Sequence, residues 1–302
     1  DEQMKIGIIS DIHSNITALR ACTDYLENER CDEYLFLGDY VSDTPYTREI
    51  MDFLYEFISS HRCQMLRGNR EDYMIAQRKI VEAGDTDKMW LSGSASGNLL
   101  FTYEKLTDED IDFFESLPIT FRYEKEGLPA ITCCHGSPES TRELLELEDD
   151  KVGRWLERID TDYMICAHTH FPGEVTYKNK HYYNAGCVGI SINDAGYAQC
   201  MIIEDFTDNG NTSWRPQFLR IPYDNRKVVR DILSSGLSDM GAWFVNADIQ
   251  TLLTGIDNAS KLVKLACGLQ RADGNMVEWP HIEERYFAAA AGTLGIIDYR
   301  KQ

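Results

Sequence analysis

Residues 4–69 repeat one pattern three times: a short apolar run that ends in a polar turn, then a stretch of helical spacing. MKIGIIS (4–10) leads into Asp11 and His13, EYLFLGD (33–39) ends on Asp39, and CQMLRGN (63–69) ends on Asn69. Between them, 16–29 places Leu19, Cys22 and Leu26 on one helical face, and 45–59 places Ile50, Leu54, Phe57 and Ile58 on another. A further helix is expected after Arg70. Alternating strand and helix predicts an α/β fold with a parallel sheet and crossover helices. Such a sheet brings the carboxyl ends of its strands to one edge, where open α/β folds bind their ligands.

The rest of the chain adds two more polar clusters of the same kind. Strands are expected at 119–125 and 130–136, the second ending at His135-Gly136. A helix follows at about 141–158, then a strand at 162–168 that runs into His168-Thr169-His170. Four strands expected to be antiparallel occupy 174–178, 180–184, 198–204 and 214–221, with DNGNTS (208–213) as a hairpin turn. Beyond Pro222 only helical spacing remains. The expected organisation is therefore a domain over 1–222 and a helical extension over 223–302. Residues 86–117 read as a helical insert, interrupted by SGSASG (92–97) and restarted by a capping box from Thr107 to Asp110. The insert is either a partial lid over the strand ends or surface decoration. The extension could cover the site, form an oligomer contact or simply pack, and the pattern selects none of these.

Charge narrows the partners. The chain of 302 residues carries 30 basic and 50 acidic side chains, a formal net charge of −20. So acidic a surface repels a nucleic-acid backbone and argues against duplex binding. An anionic substrate would need local cations to offset the field. The acidic run from Glu143 to Asp150 reads as a solvated helix face. No stretch approaches the roughly 20 apolar residues of a membrane helix, and Ile6–Ile9 is too short for a signal-peptide core. The nine cysteines are scattered without a CxxC pair, as buried reduced thiols would be. A cytoplasmic protein is expected. Cys133 and Cys134 should face opposite sides of their strand.

Five clusters, Asp11-Ile12-His13, Gly38-Asp39, Gly68-Asn69, His135-Gly136 and His168-Thr169-His170, thus end predicted strands. Carboxylate, imidazole and amide oxygen suit hard-to-borderline divalent ions, and one carboxylate can be shared by two of them. Glycine beside Asp39, Asn69 and His135 permits sharp turns and close backbone approach.

The order D-x-H, G-D, G-N, H-G, H-T-H resembles the calcineurin-like metallophosphoesterase superfamily, especially its small bacterial phosphodiesterase branch. NAGCVG (184–189) is similar to the turn that follows the last histidines there, so the resemblance spans about 4–222. It implies two packed sheets flanked by helices and a dinuclear site. Asp11, His13 and His170 would hold one ion, and Asn69, His135 and His168 the other, with Asp39 bridging. Manganese is favoured among manganese, iron, zinc and nickel. The implied reaction is hydrolysis by a metal-bridging hydroxide, with Arg70, Asp39 and His135 in the catalytic set and Arg70, Asn69 and Asn15 as the substrate contacts.

One departure matters: where many relatives follow Gly-Asn with histidine, this chain has Arg70. Arginine cannot donate a proton at neutral pH, but it can hold a phosphate oxygen. That favours leaving groups needing little protonation, as in activated phosphodiesters or nucleotide phosphoanhydrides. A salt bridge to Glu71, Asp72 or another acid is the structural alternative for Arg70. Asn15 would place a phosphate or cap a helix, and Asp43 would orient a ligand histidine or cap the next helix. His61, His181 and His281 lie outside the clusters, and Tyr40, Tyr46, Tyr73, Trp90 and Tyr103 stack on a nucleobase or merely pack. The expected function is a phosphodiesterase or nucleotide pyrophosphohydrolase acting on a small phosphate ester or nucleotide. The alternatives are a phosphomonoesterase, including a protein serine/threonine phosphatase, and a catalytically silent scaffold on the same fold. GDYVSD (38–43) lacks the D-x-x-D-R-G pattern of the protein phosphatases.

Overall fold

The structure, a computed structural model, describes residues 3–301; Asp1, Glu2 and Gln302, at the outer ends of the two expected segments, lie outside it. Strand β1 (Lys5–Ile9) shows how the alternation is used. Ile6 and Ile8 enter one core and Ile9 the core on the opposite face. β1 pairs in parallel with β2 (Glu33–Phe36), and β2 with β3 (Cys63–Met65), through helices α1 (Ile16–Asn28) and α2 (Thr47–Ser60). A long hairpin of β9 (Tyr197–Asp208) and β10 (Asn211–Pro222) turns at Asn209-Gly210, both at positive φ, and completes the sheet in the order β10-β9-β1-β2-β3.

The second sheet runs β4 (Thr120–Tyr123), β5 (Ile131–Cys134), β6 (Tyr163–Cys166), β8 (Lys180–Asn184), β7 (Gly173–Tyr177). Ile6, Ile8, Leu35 and Leu37 of the first sheet meet Ile131, Cys133 and Ile165 of the second in the core between them. Each such side chain contributes roughly 1.5–3 kcal/mol of transfer free energy. Cys133 faces this core and Cys134 the outer one beneath α6 (Asp150–Arg158), as the pleat requires.

Two expectations are corrected. The strands after residue 173 are not antiparallel throughout, because β8 lies inside the β7–β8 hairpin and pairs in parallel with β6. The helix expected over 141–158 exists only from Asp150, and the acidic run before it is a loop rather than a helix face. Glu143, Glu146 and Asp150 would stack like charges at helical spacing. Asp149 instead caps α6 by accepting from Lys151 N.

The chain after Pro222 is helical, with α7 (Asn225–Ser234), α8 (Leu237–Thr254), α9 (Ala259–Ala272) and α10 (Glu284–Leu294). No helix among the described residues is long and apolar enough to cross a membrane. The insert supplies α3 (Asn69–Glu82) with two followers, α4 (Gly97–Tyr103) and α5 (Asp108–Ser116), the last opened by the expected Thr107–Asp110 box. SGSASG does more than interrupt. Gly93 N donates to Met240 O (2.8 Å), Trp243 N to Ser94 Oγ (2.9 Å), and Ser94 Oγ to Glu284 (2.7 Å). A Cβ on Gly97 would stand 1.8 Å from Met240 O, so α4 and α8 touch backbone to backbone. The insert is the seat of the extension.

Candidate metal centre

All five polar clusters arrive at one place, and their backbone is unusual. Asp11, His13, Asp39, His168 and His170 have φ between 48° and 70°, the left-handed region that non-glycine residues rarely adopt. Strain of this kind costs of order 1–3 kcal/mol per residue and clusters where side-chain placement serves function. The loops hold one another in it. Asp11 N donates to Gly38 O (3.1 Å), His13 N to Asp39 O (3.0 Å), Ala167 N to His135 O (2.9 Å), and Gly189 N to Asp11 O (2.9 Å). Gly38 takes φ +87°, and a Cβ on Gly68 would lie 2.2 Å from Asp39 Oδ1. Both positions require glycine.

Donor atoms close on a common centre. Asp39 Oδ2 lies 3.4 Å from His135 Nε2 and 4.0 Å from His13 Nε2. Asp11 Oδ1 lies 3.4 Å from His170 Nε2, 3.9 Å from His135 Nε2 and 4.0 Å from His13 Nε2. His13 Nε2 is 3.1 Å from His170 Nε2, and Asn69 Oδ1 is 3.0 Å from His135 Nε2. Two groups, Asp11-His13-Asp39 and Asp39-His135-His168, each have one donor atom per residue within 4.8 Å of the others, and they share Asp39.

The residues fit divalent cations. Asp11 Oδ1 is buried without a hydrogen-bond partner, an orphan that is costly unless something positive meets it. Two of the imidazoles turn Nε2 toward the centre and Nδ1 toward an oxygen. His13 Nδ1 is 2.8 Å from Asp43 Oδ2, and His135 Nδ1 is 2.7 Å from Leu37 O. Charge agrees: burial opposes ionisation of Asp39, yet His135, His13 and Arg70 hold its carboxyl well below the usual range. Burial opposes protonation of His135 as well, but Asp39 and Asp11 draw it up to about 9. Burial and then His135 press His168 down to about 4.

The remaining expectations sort by contact. Asp43 orients His13 and gathers two more groups, Arg70 Nη2 (2.9 Å) and Asn98 Nδ2 (2.6 Å). Arg70 is thus paired with Asp43, not with Glu71 or Asp72, while lining the cavity beside Asp39 and Asn69. The phosphate role for Asn15 is withdrawn. Asn15 is fully buried, accepts from Ala18 N as the α1 cap, and donates to Gly189 O (2.7 Å). Tyr40 and Tyr46 are buried in the helical-side core, and Tyr103 packs at its margin. Tyr73 and Trp90 line the cavity. His61 stacks on Phe57 and His181 on Tyr163; His281 bonds Asp87 O.

Sequence reasoning missed two residues. Glu71 is fully buried and accepts from Asp39 N (2.8 Å), Tyr40 N (2.8 Å) and Gly68 N (2.7 Å), stapling two ligand loops together. The Gly68-x-x-Glu71 capping-box spacing was the available signal. Cys187, in the NAGCVG turn, offers its Sγ beside His13 and His170. A buried thiol with no spacing partner carried no signal.

The site opens into a cavity of about 930 Å³ whose wall includes Trp90, Asn98 and Leu99 of the insert and Asp248, Val263 and Phe287 of the extension. Both added segments therefore border the metal centre.

Known proteins carry the same framework. A hypothetical protein of Pyrococcus horikoshii OT3 superposes with a TM-score of 0.69 at 19% identity, over 83% of this chain and 98% of that one. A metallophosphoesterase of Sphaerobacter thermophilus gives 0.65 at 20%, over 84% and 100%. An uncharacterised protein of Methanocaldococcus jannaschii is 24% identical over 252 residues, 78% of this chain and 94% of that protein. The family model for calcineurin-like phosphoesterases matches residues 4–172, more than half of the chain. With two sheets flanked by helices and the D-x-H, G-D, G-N, H-G, H-T-H series at their shared edge, the chain belongs to the calcineurin-like phosphoesterase family.

Proposed function

We propose that this chain is a dinuclear metal-dependent hydrolase of phosphodiesters or nucleotide phosphoanhydrides. The observation that carries the proposal is the convergence of Asp11, His13, Asp39, Asn69, His135, His168 and His170 on one buried centre, most of them on strained backbone. Asp11, His13 and His170 would hold one ion, Asn69, His135 and His168 the other, and Asp39 would be shared. Two such ions supply Lewis acidity and lower the pKa of water toward neutrality. Four imidazoles, two carboxylates and an amide oxygen suit manganese, iron, zinc or nickel, and manganese is the ion proposed.

The chain's own residues then set the substrate. Arg70 N holds Asp39 Oδ1 at 2.8 Å, and the Arg70 guanidinium extends along the cavity wall from there. Asp43 occupies one of its nitrogens, which leaves donors for a phosphate oxygen. Burial opposes its charge, yet Asp43 and Asp39 hold its pKa above the ordinary value, so it positions phosphate and never protonates a leaving group. With arginine after Asn69, leaving groups of low basicity are favoured. That supports diesters and anhydrides over simple monoesters.

Rates on bis(4-nitrophenyl) phosphate and 4-nitrophenyl phosphate, measured with added manganese, test this order. The diester should be faster by about tenfold or more; a monoester preference would make the protein a phosphomonoesterase. Metal-loaded protein without turnover on a broad phosphoester panel would make it a binding scaffold. Asp39→Ala should remove both activity and most bound metal by elemental analysis.

A further inference from the structure

We infer that the helical extension builds a nucleoside pocket onto the metal centre, with Asp248 taking the sugar hydroxyls and Trp279 carrying the base. The inference rests on the phosphoesterase reading and goes beyond it by naming the organic arm of the substrate. Its basis is the order of groups along the cavity. Arg70 starts at Asp39, and its guanidinium carbon lies 6.0 Å from the Tyr73 ring centroid. Tyr73 lies 6.4 Å from Trp279, and Trp279 lies 6.1 Å from Trp90. Charge for a phosphate therefore gives way to an aromatic wall.

Asp248 on α8 stands on the Arg70 side of this wall. It lines the cavity, is only 4% exposed, and its Oδ2 is buried without a hydrogen-bond partner. The charged groups around it are Asp43, Arg70, Asp257 and His170; the two acids offer it no donor, and Oδ2 accepts none from the other two. A buried carboxyl facing a cavity without a partner needs a ligand hydroxyl or N–H. A nucleotide carries a partner for each of the three: phosphate for Arg70, sugar hydroxyls for Asp248 and a planar base for the aromatic wall.

Other arms fit less well. A quaternary ammonium would meet Arg142, already 4.7 Å over the Tyr73 ring, together with Arg70 and Lys264. A lipid chain would meet Asp248, Asp257, Ser260 and Lys264 along the same wall, and burying those polar groups against hydrocarbon is costly. Trp279 is 45% exposed while lining the cavity, with its Nε1 anchored on Ala95 O at 2.9 Å, so a held indole keeps surface for a planar partner.

Calorimetric titration of the manganese-loaded full chain with adenosine 5′-monophosphate, ribose 5-phosphate and inorganic phosphate tests the pocket. The nucleotide should bind about tenfold or more tighter than ribose 5-phosphate, and ribose 5-phosphate several-fold tighter than phosphate. Trp279→Ala, at a half-exposed position, should close the first gap, and Asp248→Ala the second. Equal binding of all three ligands, or gaps that survive the two substitutions, would overturn the pocket. Turnover of bis(4-nitrophenyl) phosphate on the same preparations separates the two readings. Gaps without turnover would sink the enzymatic proposal alone, and turnover without gaps would sink the pocket alone.

Discussion

Asp43 offers the sharpest test of how the loops make a metal site. Its buried carboxylate meets His13 Nδ1 at 2.8 Å, Arg70 Nη2 at 2.9 Å, Ser42 Oγ at 2.9 Å and Asn98 Nδ2 at 2.6 Å. In Asp43→Asn the amide oxygen can stay on the side of His13 and Arg70. The amide nitrogen then faces Asn98, whose own amide can flip to accept it. Shape is kept, and the main loss is charge. A hydrogen bond to a charged group is worth about 1.5–3 kcal/mol and a neutral one about 0.5–1.5, so each of the two principal bonds should lose about 1–1.5 kcal/mol. The His13 share appears as metal affinity, because the carboxylate fixes the tautomer and raises the basicity of Nε2. A loss of about 1.4 kcal/mol is tenfold in dissociation constant. The Arg70 share appears as stability, about 2 °C in the melting temperature of metal-free protein. Competition with a chromogenic chelator reads the first and differential scanning calorimetry the second. Metal affinity within twofold of wild type would refute the orienting role, and Asn98→Ala, which keeps the charge of the carboxylate beside His13, should weaken metal binding less than Asp43→Asn does.

Other outcomes follow from the same geometry. Glu71→Ala strands three buried backbone N–H groups at Asp39, Tyr40 and Gly68; it should cost about 3 kcal/mol or more and lower metal content, and a wild-type melting temperature would exclude the stapling role. Arg70→Ala should raise the inhibition constant of phosphate about tenfold with a smaller effect on kcat, and Arg70→Lys should restore little of it; an unchanged phosphate constant would leave Arg70 a purely structural partner of Asp43. Burial would raise the carboxyl of Asp110, but Arg48, Thr107 N and Tyr55 hold it below its ordinary value. Because the folded value is depressed, its stabilisation is present above the unfolded value near 3.8 and is lost as pH falls through the depressed one. Melting temperatures measured downward from pH 5 should therefore fall more steeply in wild type than in Asp110→Asn, and parallel curves would contradict the assignment.

The parts of this molecule legible in its sequence are those governed by short-range periodicity. Ile6 and Ile8 against Ile9, or Leu19 with Cys22 and Leu26, announce their faces because a strand or helix exposes its neighbours at fixed intervals. The ligand series was legible for a related reason: residues that end successive parallel strands must arrive at the same edge. The boundary of α6 was not, since Glu143 to Asp150 satisfies helical composition while its like charges oppose helical spacing. Nor was the left-handed backbone at Asp11, His13, Asp39, His168 and His170. Aspartate and histidine visit positive φ more readily than most residues, but nothing local demands it at these five positions. That conformation is imposed by bonds between loops far apart in the chain, such as Gly189 N to Asp11 O.

The same argument explains why the sequence could not choose among the roles open to the extension. Asp248 sits in a helix with apolar neighbours, and Trp279 in a stretch with no periodicity at all. Their relation to Arg70 exists only because Gly97 lets α4 touch Met240 and because Ser94 joins Trp243 to Glu284. A segment that reads as a helix breaker is thus the joint that carries the extension to the metal centre. Asn98, one residue further on, bonds the carboxylate that orients His13. Docking of α8 and orientation of a metal ligand share one short loop, so a substitution that loosens the joint, such as Gly97→Val, should disturb metal affinity and organic-arm recognition together. Changes at Trp279, which meets that loop only through Ala95 O, should weaken recognition far more than metal affinity.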